Sequence, residues 1–554
     1  MSSWKNFFDS KYLFILGLVA CFSLYFIFNY NLGVGALSSD VWGYQFLEIQ
    51  SRYHHWGDVP PSYNQSELYL AFPLFYYLNP GLDSGLWSYH LLSIVVIAAT
   101  YLISGLVAYK IFRSWWIAGL VGVLVLIPRF IFPTRMGFLD LSSLRGNILA
   151  APFYFLLSYY WIIYGIKSQW QNIGLGVLAG FLIYVYPPVG AITVFFFWLT
   201  ALVIYRFYKW KPLAVFALVY LVAAAPFWLN HVINPATGML DQTTGLSAEE
   251  ILLQSEIIQY KFRGSGFLQT VDFAEIKRSV WDGSVLVLLW VLGVCLVKRY
   301  KSQITEEQAR VSFITNWFIA FNLIFIFVIE VTNYFFITRG GLPIFVDHLR
   351  PVRAVGYVLI MQAAIFVYLW HRFFSRRWIV FLVIVWLVFG PLRFSAPLVR
   401  SVVRAVVPES IREKYNLAPV IGSSDELKFE NVLAAAEWAR KNLSAEAKVF
   451  VFSGNQQDFA FKFFSRHNTN LTNKEGSIWV TAGFYNSKHW YDERRRYQEV
   501  VESAQSFEEI VIFAQELDST HMLVPRGPYW QLWTTFSETL PVLYENSDYV
   551  IIKL

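Results

Sequence analysis

The chain has 554 residues, of which 56% are apolar, 19% are aromatic and 15% are charged, with a net charge of +6. That length allows more than one domain, and a positive mean hydropathy with so little charge excludes an ordinary soluble protein. The positive balance needs no nucleic acid to explain it, because much of the Lys and Arg sits in short turns between apolar runs.

Runs such as 12–28, 117–127 and 378–389 carry no ionised residue. With their flanks they approach the roughly 20 residues that a bilayer-crossing helix needs. Apolar length predicts about eleven spans, near 12–32, 91–109, 115–134, 146–166, 172–187, 189–206, 213–230, 283–298, 311–336, 354–371 and 378–395. The first is read as an uncleaved span, since Gly33-Val34-Gly35-Ala36 is a poor cleavage site. With the N-terminus inside, the inner turns carry Lys110 and Arg113, then Lys167, then Arg206, Lys209 and Lys211. Lys298, Arg299 and Lys301 follow, and then Arg372, Arg376 and Arg377. Every inner turn is short and basic, as the positive-inside rule requires. The expected fold is a polytopic α-helical membrane protein, in the inner (cytoplasmic) membrane, over residues 1–395.

Long outer connections are expected at 33–90 and 231–282. Within the second, 248–262 has Ile251, Leu252, Ile257, Ile258 and Phe262 at helical spacing, as in a helix lying in the membrane interface. Residues 396–554 lose the apolar runs and gain charge. They are expected to form a small α/β domain on the outer face. Helix is predicted at 431–442, with Ala434, Ala435, Trp438 and Ala439 on one face, and at 499–515 with a break near Ser506. Strands are predicted at 449–452, 521–524 and 549–552. The two cysteines, Cys21 and Cys295, both fall in predicted spans, so disulfides play no part outside the membrane. No internal repeat is evident.

Asp40 stands a few residues past the first span, after Ser38-Ser39 and before Trp42 and Tyr44. A carboxylate at that depth can act as general base on an acceptor hydroxyl or hold a divalent cation. It can also simply cap a helix. Asp140, between the third and fourth spans, has the same choices. Arg129, Arg135 and Arg145 lie at the outer ends of those two spans, and Arg339, Arg350 and Arg353 flank the ninth and tenth. Topology does not require cations there. Guanidinium groups match phosphate oxygens with paired, charge-assisted hydrogen bonds, although snorkelling to ordinary headgroups uses the same residues. Asp347, His348, Arg350 and Arg353 crowd ionisable groups into the mouth of one span, where charge is costly. Glu330 lies near the outer end of the ninth span and can pair with an arginine or enter the site. His54-His55 with Asp58 lacks the residues to complete a metal site, and Asn64-Gln-Ser66 is a short glycosylation-type triplet.

This layout resembles the GT-C superfamily of integral membrane glycosyltransferases. The resemblance rests on Asp40 just after the first span, Asp140 between the third and fourth, and Arg350 and Arg353 at a later outer end. The 431–452 and 541–552 stretches complete it as an outer α/β tail. It implies transfer of a sugar from a polyprenyl-phosphate-linked donor to a lipid, glycan or protein acceptor at the outer face, with Asp40 as catalytic base. It further implies that Arg350, Arg353, Arg339, Arg145 and His348 bind the donor phosphate. A second acidic site would draw on Asp140, Asp347 and Glu330, and a divalent cation (Mg or Mn), if one is used, would rest on Asp40 and Asp140. The chain departs from many relatives in lacking a paired Asp-Glu at 40, an Asp-x-Asp at 140 and a Trp-Trp-Asp motif in the tail. The competing readings are a polysaccharide or lipid transporter, which would place charge at mid-membrane, and a non-catalytic scaffold that presents the outer domain. Partners beyond the donor and membrane lipids are left open, with no nucleic acid among them.

Overall fold

A computed structural model describes residues 11–32, 87–126, 168–185, 194–204, 210–229 and 246–262, single residues and short stretches within 152–191 and 291–332, and most of 423–554. Three helices open it: α1 (Lys11–Leu32), α2 (Trp87–Phe112) and α3 (Trp115–Leu126). Tyr101 of α2 is wholly buried among them. Its hydroxyl donates to the Phe14 carbonyl at 2.8 Å, which satisfies a polar group that an apolar bundle cannot leave unpaired. The approach is close because two partners are glycine. A Cβ on Gly122 would stand 2.6 Å from the Tyr101 ring, and one on Gly17 2.2 Å from its hydroxyl. Phe14 packs over Gly105 and against Trp115, with ring centroids 5.5 Å apart.

These contacts fix the helix directions. Phe14 meets the start of α3, while Gly17 and Gly122, each further along its own helix, both meet Tyr101. So α1 and α3 run parallel, and α2 runs against them. Lys11, Lys110 and the Arg113–Ser114 turn therefore share one end of the bundle. Arg113 closes α2 in the left-handed region, at φ 54°, its N–H donating to Tyr109 O at 2.7 Å.

A second group holds α4 (Gln169–Val185), α5 (Val194–Ile204) and α6 (Trp210–Trp228). Gly176 lies against Phe216 O and Val219, and Gly180 against Ala223. This is the small-xxx-small spacing that lets helix backbones approach closely. Tyr184 donates to Ala223 O at 2.9 Å, Tyr220 to Gly190 O at 2.9 Å and Trp198 Nε1 to Leu213 O at 3.1 Å. α4 and α6 run parallel, with α5 against them. Exposed Tyr12, Trp170 and Trp210 stand in the first turns of α1, α4 and α6, where aromatic rings gather at a membrane–water boundary. Among the described residues, α2 and α6 are long and apolar enough to cross a membrane.

Further on, residues 298–300 end one helical stretch, and Thr305 caps the next. Thr305 N–H donates to Gln308 Oε1, and Gln308 N–H to Thr305 Oγ1, both at 3.2 Å, a reciprocal capping box. Gln308 Nε2 also donates to Ile111 O at 3.3 Å. The turn beside Lys298 and Arg299 is thereby placed at the same end as Lys110 and Arg113.

The C-terminal unit is a five-stranded sheet of order β2-β1-β3-β5-β4. Its strands are β1 (Lys448–Val451), β2 (Asn468–Thr469), β3 (His521–Pro525), β4 (Val542–Glu545) and β5 (Tyr549–Lys553). β1 pairs in parallel with β2 and β3, and β5 pairs antiparallel with β3 and β4. Its helices are α8 (Ser423–Asn442), α9 (Phe484–Val501), α10 (Phe507–Glu516) and α11 (Trp530–Phe536). One sheet face presents Phe450, Met522, Val524, Val550 and Ile552 to α9, α10 and α11, packing on Tyr497, Val501, Ile510, Phe513 and Trp533. α8 packs against β5 and β4. Its buried residues are Val432, Ala435, Ala436 and Ala439, whereas Ala434 is exposed. Buried Ala436 therefore replaces Ala434 on the face expected from the sequence. The expected break at Ser506 is a true boundary, since Ser506 Oγ caps α10 and Glu509 closes the box. The short strands β2 and β4 were not anticipated, because two paired residues and an irregular edge strand carry no alternating pattern.

Candidate active site

Asp40, Asp140, Arg145, Glu330, Arg339, Asp347, His348, Arg350 and Arg353 all lie outside the described residues. The described helices do fix the ends from which the chain departs toward them. Asp40 comes eight residues after Leu32 of α1, and Asp140 fourteen after Leu126 of α3. Because α1 and α3 are parallel, both departures are from the end of the bundle opposite the basic turn. Extended chain spans at most about 29 Å over the shorter of these intervals. The segment leading to Glu330, Arg339, Arg350 and Arg353 begins beside Ile111 at the basic end. Every described residue between 306 and 332 is helical.

Among the described residues no three of His, Cys, Asp and Glu stand together to hold a metal ion. Asp40 and Asp140, expected to hold Mg or Mn, lie outside the described residues.

A polar contact between two distant helices was not legible in the sequence. Helix α7 (Ala248–Phe262) lies alongside α9 of the C-terminal unit, in the same direction. Ser487 Oγ donates to Gln254 Oε1 at 2.5 Å, Tyr491 to Glu256 Oε1 at 2.5 Å, and Tyr260 to Gln498 Oε1 at 2.6 Å. Ile257 is fully buried, and the Tyr260 ring meets that of Tyr491 edge-on at 5.2 Å. Burial, and then the carboxylate of Glu256, push the Tyr491 hydroxyl up to about 12, so it stays a donor. The α7 boundaries agree with the sequence reading, but the surroundings differ. Ile257, expected to meet lipid, is buried with Gln254 and Ser255, while Leu252 remains exposed. The start of α7 was legible as the capping box Ser247-Ala-Glu-Glu250, with Ser247 N–H donating to Glu250 Oε2 at 2.8 Å. Two buried polar residues in mid-face were the sign of a protein partner rather than lipid.

Just before β2, His467 is buried, its Nε2 3.1 Å from Ala439 O. Burial lowers the pKa of His467 despite that contact. His521 is lowered too, by burial first and then by Lys553 and His467.

The described parts thus define a helical chain with two bundles of parallel first and third helices, carrying an α/β unit near its C-terminus. The sequence matches no family model and none of the curated proteins. Among solved structures, the chain is similar to ArnT from Cupriavidus metallidurans bound to undecaprenyl phosphate, with 11% identity, 97% of each chain covered and a TM-score of 0.42. It is similar to the apo state of the same protein over the same share, at 11% identity and a TM-score of 0.41.

Proposed function

We propose that the chain is a polytopic membrane glycosyltransferase of GT-C type, which transfers a sugar from a polyprenyl-phosphate-linked donor at the outer membrane face. The observation that carries this reading is the parallel arrangement of α1 and α3. It sends the chain toward Asp40 and toward Asp140 from one end of a bundle whose other end gathers Lys11, Lys110, Arg113, Lys298 and Arg299. With that basic end on the cytoplasmic side, the two aspartates belong to the outer side. The helix that starts at Thr305 leads away from the basic end toward Glu330, Arg339, Arg350 and Arg353.

In this reading the chemistry is modest. Asp40 removes the proton from the acceptor hydroxyl as it attacks the anomeric carbon, and the donor's phosphate leaves with the electron pair of the broken bond. Arg350 and Arg353, with Arg339, Arg145 and His348, would meet the charge that develops on that phosphate. A phosphate is a competent leaving group, so one base and a cationic cradle suffice. A divalent cation, if Asp40 and Asp140 bind one, would add charge neutralisation at the phosphate. The C-terminal α/β unit would then help select the acceptor.

The test is to supply membranes containing the protein with radiolabelled polyprenyl-phosphate sugars and to follow label into lipid, glycan and protein fractions. Label transferred only when the protein is present supports the reading. No transfer from any donor, with the protein folded and abundant, overturns it.

A further inference from the structure

The seam between α7 and α9 combines buried Ile257 and the Tyr260–Tyr491 ring contact with three polar bonds. Gln254 is fully buried, and its Oε1 accepts from Ser487, but its Nε2 has no partner among the described residues. An unpaired buried amide is a standing penalty on the docked state, and a permanent helix contact would fill that position with an apolar side chain. Ser487 does not depend on Gln254, because its hydroxyl also lies 2.8 Å from Phe484 O. Glu256 is exposed on the rim, so its bond to Tyr491 can be exchanged for water. Tyr260 and Gln498 are neutral partners. Each of the three bonds can therefore break without stranding a charge. The core under α9, by contrast, is a continuous apolar cluster through Phe450, Tyr497, Val501 and Phe513, which holds without α7.

We infer that α7 is a reversible strap: it docks on α9 through Gln254–Ser487, Glu256–Tyr491 and Tyr260–Gln498, and it undocks while the C-terminal unit stays folded. The unpaired amide of Gln254 sets the docked state close in free energy to the undocked one. A segment of the membrane-spanning half of the chain thereby grips or releases the C-terminal unit, which makes α7 the coupling element between them.

Amide hydrogen exchange on the full-length protein in lipid nanodiscs tests this. In the wild type, amides of α7 should exchange at least a hundredfold faster than those of β3 and β5, by an opening that leaves the sheet protected. Gln254→Leu, which keeps the bulk and removes the unpaired amide, should slow exchange in α7 about tenfold. Tyr491→Phe, which removes a donor to a carboxylate, should speed it severalfold. Unchanged protection of β3 and β5 verifies in the same samples that each variant is folded, and Gln254→Met serves in place of leucine if branching disturbs the helix. The inference is overturned if α7 exchanges at the rate of β3 and β5, or if neither apolar variant slows it. No donor or acceptor is involved, so this failure would leave the transferase reading where the labelling experiment puts it.

Discussion

The side chain of Gln308 joins two turns that lie 197 residues apart, its amide nitrogen on the Ile111 carbonyl while its oxygen caps Thr305. One residue thus fixes a helix start and places it beside the end of α2, so that two basic turns adjoin. Removing it should be felt in both roles. Gln308→Ala is expected to destabilise the helical region by about 1–2 kcal/mol, from a lost cap and a lost interhelical bond. Reversible unfolding of detergent-solubilised protein measures this, and an unmoved midpoint would show that the tie contributes nothing.

The contact between α4 and α6 makes a sharper contrast within one helix. A Cβ at Gly180 would stand 2.4 Å from the Ala223 Cβ, and one at Gly176 2.9 Å from both Phe216 O and Val219 Cβ, while at Gly174 it would meet nothing within 4 Å. Gly180→Ala and Gly176→Ala should therefore each destabilise by about 1–3 kcal/mol through overpacking. Gly174→Ala should be neutral or stabilising by up to about 1 kcal/mol, since alanine favours helix over glycine. Equal effects at the three positions would refute the close approach of the two helices.

Acid should loosen the C-terminal unit through its histidines. His467 and His521 both have pKa values lowered in the folded state, chiefly by burial. The unfolded chain then binds more protons between the folded value and the ordinary value of about 6.5. Their contribution is complete above that ordinary value and is lost as pH falls below it toward the folded values. Melting of the α/β unit should therefore come at lower temperature at pH 5.5 than at pH 7.5. His467→Gln, which keeps a hydrogen-bonding group beside Ala439 O, should flatten that dependence. A His467→Gln protein with the wild-type pH slope would remove this histidine from the account.

How much of this was legible in the sequence depends on where periodic burial decides structure. The apolar runs of α1, α2, α4 and α6 stood out because composition alone sets them, and β5 stood out because Tyr549-Val-Ile-Ile is buried on both faces. Helix starts at Ser247, Thr305 and Ser506 were written as capping boxes, each Ser or Thr followed three residues later by Glu or Gln. The one at Ser506 coincides with the break that the pattern predicts there. What pattern could not show is partnership. The apolar stripe of α7 has the same spacing whether it meets lipid or a helix, and Ser487, Tyr491 and Gln498 that meet it are more than two hundred residues away. The candidate site was legible as residue types at helix ends; the described helices add direction, since α1 and α3 end on the same side of their bundle.

The residues of the proposed site have separable signatures. Asp40→Asn keeps size and helix-capping ability but cannot take a proton. Transfer should fall by about 10²–10⁴-fold, the usual worth of a positioned base, with donor binding and melting temperature unchanged. Arg353→Ala acts on the other substrate. Losing a charge-assisted pair to phosphate, about 1.5–3 kcal/mol, should raise the donor concentration needed for half-maximal rate by tenfold or more. Arg353→Lys should recover part of that loss, since lysine supplies the charge without the fork. Steady-state transfer assays with the donor varied at fixed acceptor separate the two effects. Full activity in Asp40→Asn would remove the proposed base, and an unaltered donor dependence in Arg353→Ala would remove the cradle. Either result breaks the convergence inferred from the parallel α1 and α3.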